Sequence, residues 1–478
     1  MSAILGDPAT DRETAISRLV IDRFFRELGE LGHAIEARLW NGDSIRPAGA
    51  CSIQSRLRLR HPGALRAMLW PPGAQTLGEA YISDDFDIEG AIEPILPLLD
   101  RMLDRSASQG APGRNRLGRL LLGLPDISNA RRAGWREAQF SPGETISRQT
   151  GRNALLYRPH LSNAFYASWL GSDMSFYPGV PAPATGVDWS DVWEQTLDQL
   201  EVRLALRPGE TLLDLSAGWG SLAIQAARRH DIQVAGICQS LEQLRLAERR
   251  IHLSGIGDRC RFQLGYLGEP ADSSLSRNRF DKVVELGLVG HVDASQLSDH
   301  FEQVRRLLRP GGLYVYHGLT RQMGGTWGNV SPFVDGFVLP VGELVPLSTL
   351  LETAEQSRLE VSEVATVQEP YLRAVRLWLR RLEERHREVE HLAGVRAYRA
   401  WRLYLAAIAY GLANRQLNVY EAVLHRPGSA VAGEYELPWA EPNVNARRFR
   451  EADSSALVRG EIARSASRSP VESALMGV

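Results

Sequence analysis

The chain has 478 residues, 44% of them hydrophobic and 23% charged, with a formal net charge of −2. That length suggests about two to three domains of a soluble globular protein, and the near-neutral balance gives no global attraction to nucleic acid. Its three cysteines, Cys51, Cys238 and Cys260, are widely spaced and odd in number, which argues against a disulfide framework and against a cysteine metal site, so no metal is expected.

The first residues lack the basic flank and apolar run of a secretory signal. Residues 15–31 (AISRLVIDRFFRELGEL) repeat apolar positions every three or four residues, which predicts an amphipathic helix. Residues 33–47 (HAIEARLWNGDSIRP) alternate around an Asn-Gly pair and predict a β-hairpin. Residues 106–150 mix Gly, Pro, Ser and Arg with one short apolar run and read as a basic, partly helical linker, either a solvated connector or a patch drawn to anionic lipid.

From about residue 151 to 430, short β-rich runs (TLLDLSAG, IQVAGIC, RFQLG, FDKVVELGLV, GGLYVYHGL) alternate with helical stretches. That order predicts an α/β domain with a parallel sheet and helices on both faces. Ligands of such sheets bind beyond the carboxyl ends of the strands, where LLDLSAGWGS (212–221) would lie. Gly218 and Gly220 let backbone approach a ligand, and Asp214 can orient the loop or accept a hydrogen bond from it. No phosphate-cradling lysine follows the turn and no acid closes the second strand, which weakens the ATP and dinucleotide readings. Residues 372–392 (LRAVRLWLRRLEERHREVEHL) predict one long arginine-bearing helix. The most apolar stretch, 401–413, carries Arg402 and is far short of the roughly 20 residues that cross a bilayer. Membrane contact is therefore expected to be peripheral, at the inner face, for a cytoplasmic protein. The last 45 or so residues, rich in Ala, Ser, Arg and Glu, read as a mobile tail.

Together LRPGETLLDLSAGWGSLA, GICQSLEQLRLAERR, FDKVVELGLVGHVDASQL, LLRPGGLYVYHGL and YRAWRLYLAAIAYGLANRQLNVYEAVLHRPG resemble the cyclopropane-fatty-acyl-phospholipid synthases, S-adenosylmethionine-dependent lipid methyltransferases. ARLWNGDSIRP through LGEAYISDDFDIEGAIEPIL resembles the small extra domain of the full-length synthases. The resemblance implies a Rossmann-like class I methyltransferase domain with a smaller N-terminal α+β domain. It divides the sequence into 1–105, a linker 106–150, the methyltransferase domain 151–430 with an acyl-channel lid at 331–351, and a tail 431–478. It also implies a homodimer acting on phospholipid acyl chains.

By the same resemblance Phe176 and Tyr177 line the cofactor pocket from above. Asp214, Ser216, Ala217, Gly218 and Gly220 with Cys238, Gln239, Ser240 and Gln243 hold its methionine and ribose ends, and Tyr266 and Leu267 flank the adenine. Ser216 and Ala217 replace a Gly-Cys pair, and Gly265 replaces an acidic residue. The family's bicarbonate base is cradled by Cys, Glu, His and Tyr, positions that fall here on Pro178, Gly290, His317 and Leu379. With three of these lost, a protein base is expected instead: Glu285 first, then His317 or His291. The product is then a methylene or, with a partner oxidoreductase, a methyl-branched chain. The alternatives are a substrate that is already modified, and a non-catalytic lipid-binding homologue or regulatory subunit of a lipid-modifying complex.

Overall fold

The computed structural model describes residues 8–29, 34–47, 49, 52–101, 116–127, 161–171, 174–177, 189–265, 267, 279–287, 292, 294–323 and 344–428. The expected amphipathic helix is present as α1 (Pro8–Leu28) and buries Val20, Ile21, Phe24 and Leu28, positions that fall on one helical face. The hairpin also forms: β1 (Ile35–Arg38) pairs antiparallel with β2 (Ser44–Ile45), Ala37 opposite Ile45. Its turn follows from the Asn-Gly pair, since Asn41 Oδ1 accepts the Asp43 N–H at 3.0 Å and Gly42 takes φ +94°. β3 (Ser55–Leu59), α2 (Ala64–Leu69), α3 (Ala74–Ile82) and β4 (Phe86–Gly90) complete a four-stranded sheet of order β2-β1-β3-β4. Within the expected linker, α4 (Arg116–Leu122) buries Leu117 and Leu121 in the core that α1 also enters.

The second sheet has seven strands. α5 (Asn163–Leu170) and α6 (Trp189–Leu204) precede β5 (Thr211–Asp214), α7 (Ser221–Arg229), β6 (Gln233–Cys238), α8 (Leu241–Leu253) and β7 (Cys260–Leu264). β8 (Phe280–Leu286), α9 (Leu297–Leu307), β9 (Leu308–Arg321), α10 (Leu347–Gln356) and β10 (Glu360–Thr366) follow, then α11 (Gln368–Glu384), α12 (His386–Ala413) and β11 (Leu417–His425). The order is β10-β11-β9-β8-β5-β6-β7. The winding reverses between β5 and β8, so the crevice beyond their carboxyl ends is the natural ligand site.

Two expectations are corrected. The sheet is not wholly parallel, because β11 runs antiparallel to both β9 and β10. α12 delivers the backbone to the carboxyl end of β9, and a tight turn with Arg415 at φ +57° sends it back along that strand, Leu417 opposite Arg321. The arginine-bearing helix is also not continuous: Arg385 (φ −102°, ψ 22°) separates α11 from α12, and Gly394 at φ +83° kinks α12.

The two faces of this sheet carry different partners. Val283, Tyr314 and Tyr316 pack with Phe301, Val304 and Leu307 of α9. Val284, Val315 and Val423 pack with Leu197, Leu200 and Leu204 of α6. Side chains alternate along a strand, so Glu285 faces α9 while His317 faces the α6 side. Arg402 of α12 joins the N-terminal sheet to this half, donating to the Ile88 and Gly90 carbonyls (2.8 Å each) and to Glu383 (2.8 Å). Phe24, Phe86, Trp169 and Trp401 lie in one continuous hydrophobic cluster. The described residues up to Gly428 form a single compact unit. The tail, and the lid segment as far as residue 343, lie outside the described residues. Among the described residues no helix is long and apolar enough to cross a membrane.

Candidate active site

Asp214, the last residue of β5, is buried, and its Oδ1 accepts from the Ser216 backbone N–H at 3.0 Å and from the Ser216 hydroxyl at 3.3 Å. Ser216 Oγ in turn accepts from the Leu286 N–H at 2.7 Å. The serine thus fastens the loop to the end of β8, and a glycine there would leave that N–H without its partner. Burial, opposed by the Ser216 bonds, pushes the Asp214 carboxyl up to about 7.

Gly218 takes φ +53°, and a Cβ added there would meet only the Ser216 carbonyl oxygen, at 3.7 Å. The outer side of the loop is therefore open to a ligand. Gly220 (φ +85°) starts α7, where a side chain would strike Phe262 at 2.8 Å and Ile224 at 2.9 Å. A backbone turn that a ligand can approach closely, with a buried acid beneath it, suits the amino-acid end of S-adenosylmethionine.

The neighbouring side chains shape this turn more than they face out of it. Ala217 and Cys238 pack with Ala247, and burial drives the Cys238 thiol far up. Gln239 donates through Nε2 to the Leu215 and Ile237 carbonyls at 3.2 and 3.3 Å. Ser240 and Gln243 form a capping box on α8: Ser240 Oγ accepts the Gln243 N–H, and Gln243 Oε1 accepts the N–H groups of Gln239 and Ser240. The sequence placed the run Cys238 to Gln243 around the methionine and ribose ends of the cofactor; in the structure these side chains pack and bond within the protein. They hold the carboxyl end of β6 in place. Leu267 is half-buried against the cluster of Leu213, Leu215 and Ile237. Tyr266 and His291 lie outside the described residues.

An aromatic wall begins at the loop. Trp219 donates through Nε1 to Asn163 Oδ1 at 2.7 Å, and Asn163 Nδ2 reaches the Glu242 carbonyl at 3.1 Å. Phe176 lies 6.0 Å from Trp219 and is stacked on Trp401 at 6.3 Å between ring centroids. Tyr166, Trp169 and Trp378 extend the same wall.

The expected bases separate. Glu285 is fully buried on the α9 face, where its Oε2 accepts from the Tyr314 hydroxyl (2.5 Å) and meets His300 Nε2 at 2.9 Å. The carboxylate anchors α9 to the sheet, and strand alternation turns it away from the α6 side. His317 is buried with its Nδ1 lacking a partner among the described residues, and burial holds its ring down to about 3, neutral at ordinary pH. Tyr177 packs edge-on against His317 at 4.7 Å, and its hydroxyl is bonded to Glu421, not free for the cofactor. Glu421 stands directly opposite His317 in the β9–β11 register and has the Arg203 guanidinium 2.9 Å from its Oε2, an ion pair not aligned as a hydrogen bond.

Sequence reasoning missed Glu421, Arg203 and Asn163. The available signal for the first was a lone acid inside the apolar run LNVYEAVLH.

Residues 148–422, more than half of the sequence, match the family profile for mycolic acid cyclopropane synthetase. A probable fatty acid methyltransferase of Pseudomonas putida is 29% identical over 420 residues, 86% of this chain and 96% of that protein. Tuberculostearic acid methyltransferase of Mycobacterium tuberculosis is 24% identical over 409 residues, 82% of this chain and 88% of that protein. Among solved structures, the cyclopropane synthase MmaA2 from Mycobacterium tuberculosis superposes with a TM-score of 0.53 at 19% identity, over 59% of this chain and 100% of that one. The mycolic acid cyclopropane synthase CmaA1, complexed with SAH and CTAB, gives 0.53 at 20% identity, over 60% and 99% of the two proteins. At such identities the two structures establish the fold alone, a class I methyltransferase core; the smaller N-terminal subdomain is seen in this chain's own four-stranded sheet. With its strand order, its open glycine turn over Asp214 and the family match over residues 148–422, the chain belongs to the mycolic acid cyclopropane synthetase family and is an S-adenosylmethionine-dependent methyltransferase.

Proposed function

We propose that this methyltransferase transfers its methyl group to an alkene carbon in the unsaturated fatty acyl chains of membrane phospholipids. The observation that carries this reading is the aromatic wall running from Trp219 through Phe176 to Trp401 and Trp378. The names of the relatives, fatty acid methyltransferases, point the same way. When bound, S-adenosylmethionine supplies an electrophilic methyl group, and an alkene that accepts it becomes a carbocation. Aromatic faces stabilise positive charge by about 0.5–2 kcal/mol each, and a dry apolar surround keeps water from capturing it.

In this reading residues 214–220 hold the amino-acid end of the cofactor, Phe176 covers it, and Leu267 with Tyr266 borders the adenine. Of the four positions that would cradle bicarbonate by family resemblance, His317 retains a polar ring and Leu379 is buried apolar surface; Pro178 and Gly290 lie outside the described residues. A lone neutral histidine holds an anion poorly in an apolar site. The product is accordingly a methylated or methylene acyl chain, completed by a reductase partner where the branch is saturated. The same reading has the protein working as a homodimer on the inner membrane surface, with the N-terminal domain, linker, methyltransferase domain and tail divided at residues 105, 150 and 430.

Calorimetric titration with S-adenosylmethionine, followed by incubation with vesicles of cis-unsaturated phospholipid and mass spectrometry of the acyl chains, tests it. The expected result is cofactor binding and a gain of one carbon. Cofactor binding with no carbon gained by any acyl chain overturns the substrate assignment.

A further inference from the structure

Resting on that function, we propose that Glu421 receives the proton lost by the methylated acyl chain, by way of the Tyr177 hydroxyl. Glu421 is buried in the interior of β11, directly across from His317 on β9, where paired Cβ atoms lie about 4.5–5.5 Å apart. Tyr177 bridges the two, its ring against the imidazole and its hydroxyl donating to Glu421 Oε1. Arg203 lies on the other carboxylate oxygen and is shared with Glu363 of β10 at 3.8 Å. The charged and titratable groups that face Glu421 are thus Tyr177, Arg203, His317 and, through Arg203, Glu363.

Burial makes the His317 ring a weaker base than an ordinary imidazole, and it faces Glu421 across the β9–β11 pairing. Its Nδ1, buried and without a partner among the described residues, lies on the same side of the sheet. Glu421 has the opposite tendency: burial raises its proton affinity, Arg203 and Tyr177 notwithstanding. Burial also holds the Tyr177 phenol well above its ordinary value, so it relays a proton without remaining a phenolate.

The step balances. The hydrogen on the methylated carbon shifts with its electron pair to the neighbouring cationic carbon, which moves the charge onto the carbon bearing the new methyl; a C–H bond of that methyl then breaks, and its electron pair forms the second carbon–carbon bond of the methylene. The proton goes to Tyr177 Oη, and the original Tyr177 proton passes to Glu421 Oε1, leaving a neutral carboxylic acid and an intact phenol. Bulk water later removes the stored proton.

The test compares the full-length protein with E421Q, E421D and Y177F, using S-adenosylmethionine and vesicles of cis-monounsaturated phosphatidylglycerol and phosphatidylethanolamine. Expected are unchanged cofactor binding by calorimetry and a turnover loss of about a hundredfold in E421Q, with partial recovery in E421D. Y177F falls between them. In E421Q the methylated chains gain a hydroxyl group, because water captures a cation that has lost its proton acceptor, and the acid limb of the pH–rate profile disappears. A purely structural glutamate would produce neither of these changes. Should E421Q fail to fold, E421D and Y177F carry the same readouts. Wild-type product at wild-type rate with an unaltered acid limb in the substituted proteins overturns the proton-acceptor role alone. A wild-type protein that binds cofactor but methylates no acyl chain overturns the parent function and this role with it.

Discussion

Glu285 and Glu421 are buried carboxylates on neighbouring regions of one sheet, and each is bonded to a tyrosine with a histidine close by. Glu285 on β8 points toward α9 and is held by side chains from α9 and β9, all within the packed core. Glu421 on β11 points to the α6 side, beside a histidine whose ring nitrogen has no partner among the described residues and a tyrosine from the segment next to Phe176. The inventories are nearly the same, and in each one carboxylate oxygen lacks a hydrogen bond among the described residues, yet one cluster lies on the α9 face and the other borders the proposed reaction site. What separates them is the parity of a strand position and the direction in which a strand runs.

Substituting each glutamate in turn should give the largest contrast. E421Q is expected to lower turnover about a hundredfold and alter the product, whereas E285Q is expected to leave the product unchanged and reduce unfolding free energy by about 1–3 kcal/mol. Denaturant melts run beside mass spectrometry of the product check both, and a changed product in E285Q would place both carboxylates in the chemistry.

The next effect is in acid. His317 is held at about 3 against an ordinary value of 6.5, so its contribution to stability is complete above 6.5 and is withdrawn as pH falls toward 3. Asp214, raised to about 7 from 3.8, acts with the opposite sign: its contribution is complete below 3.8 and is lost as pH rises through 7. Melts across this range should show H317Q removing the acid-side loss, of the order of a few kcal/mol, and D214N removing the loss on the neutral side.

A smaller effect belongs to the cofactor loop. S216A removes the acceptor for the Leu286 N–H and one donor to Asp214, and should lower stability by about 1 kcal/mol and weaken S-adenosylmethionine binding by up to about tenfold in calorimetry. Binding equal to wild type would show that Ser216 has no part in shaping the cradle. N163A leaves the Trp219 indole N–H without its acceptor and should cost about 1 kcal/mol with little change in affinity, as read by thermal melts and the same titration.

Much of the site was visible in the residues before folding was considered. Asp214, Gly218 and Gly220 announce a strand, a turn and a helix start, because these signals act over three or four residues; Ser240 and Gln243 were read only as cofactor neighbours, and their capping box came from the structure. The meaning of Ser216 was not visible in the same way. It departs from the family's glycine, which suggested a lost contact, but its hydroxyl is used by a backbone N–H seventy positions further on. Glu285 drew attention because it sits near the end of a recognisable strand. Glu421 drew none, because β11 has no alternation of its own and only pairing with β9 gives it a face.

Local elements and family were therefore legible from the residues alone: the hairpin at Asn41-Gly42, the amphipathic α1, the glycine turn after β5 and the alternation that builds an α/β sheet. Backbone sterics and periodic burial produce them, and both are dictated by near neighbours. Long-range packing had to be seen to learn which carboxylate meets His317, that Ser216 ties β5 to β8, and that β11 runs against its neighbours. Those outcomes depend on register and strand direction, set between segments many tens of residues apart, and no short window of sequence contains them.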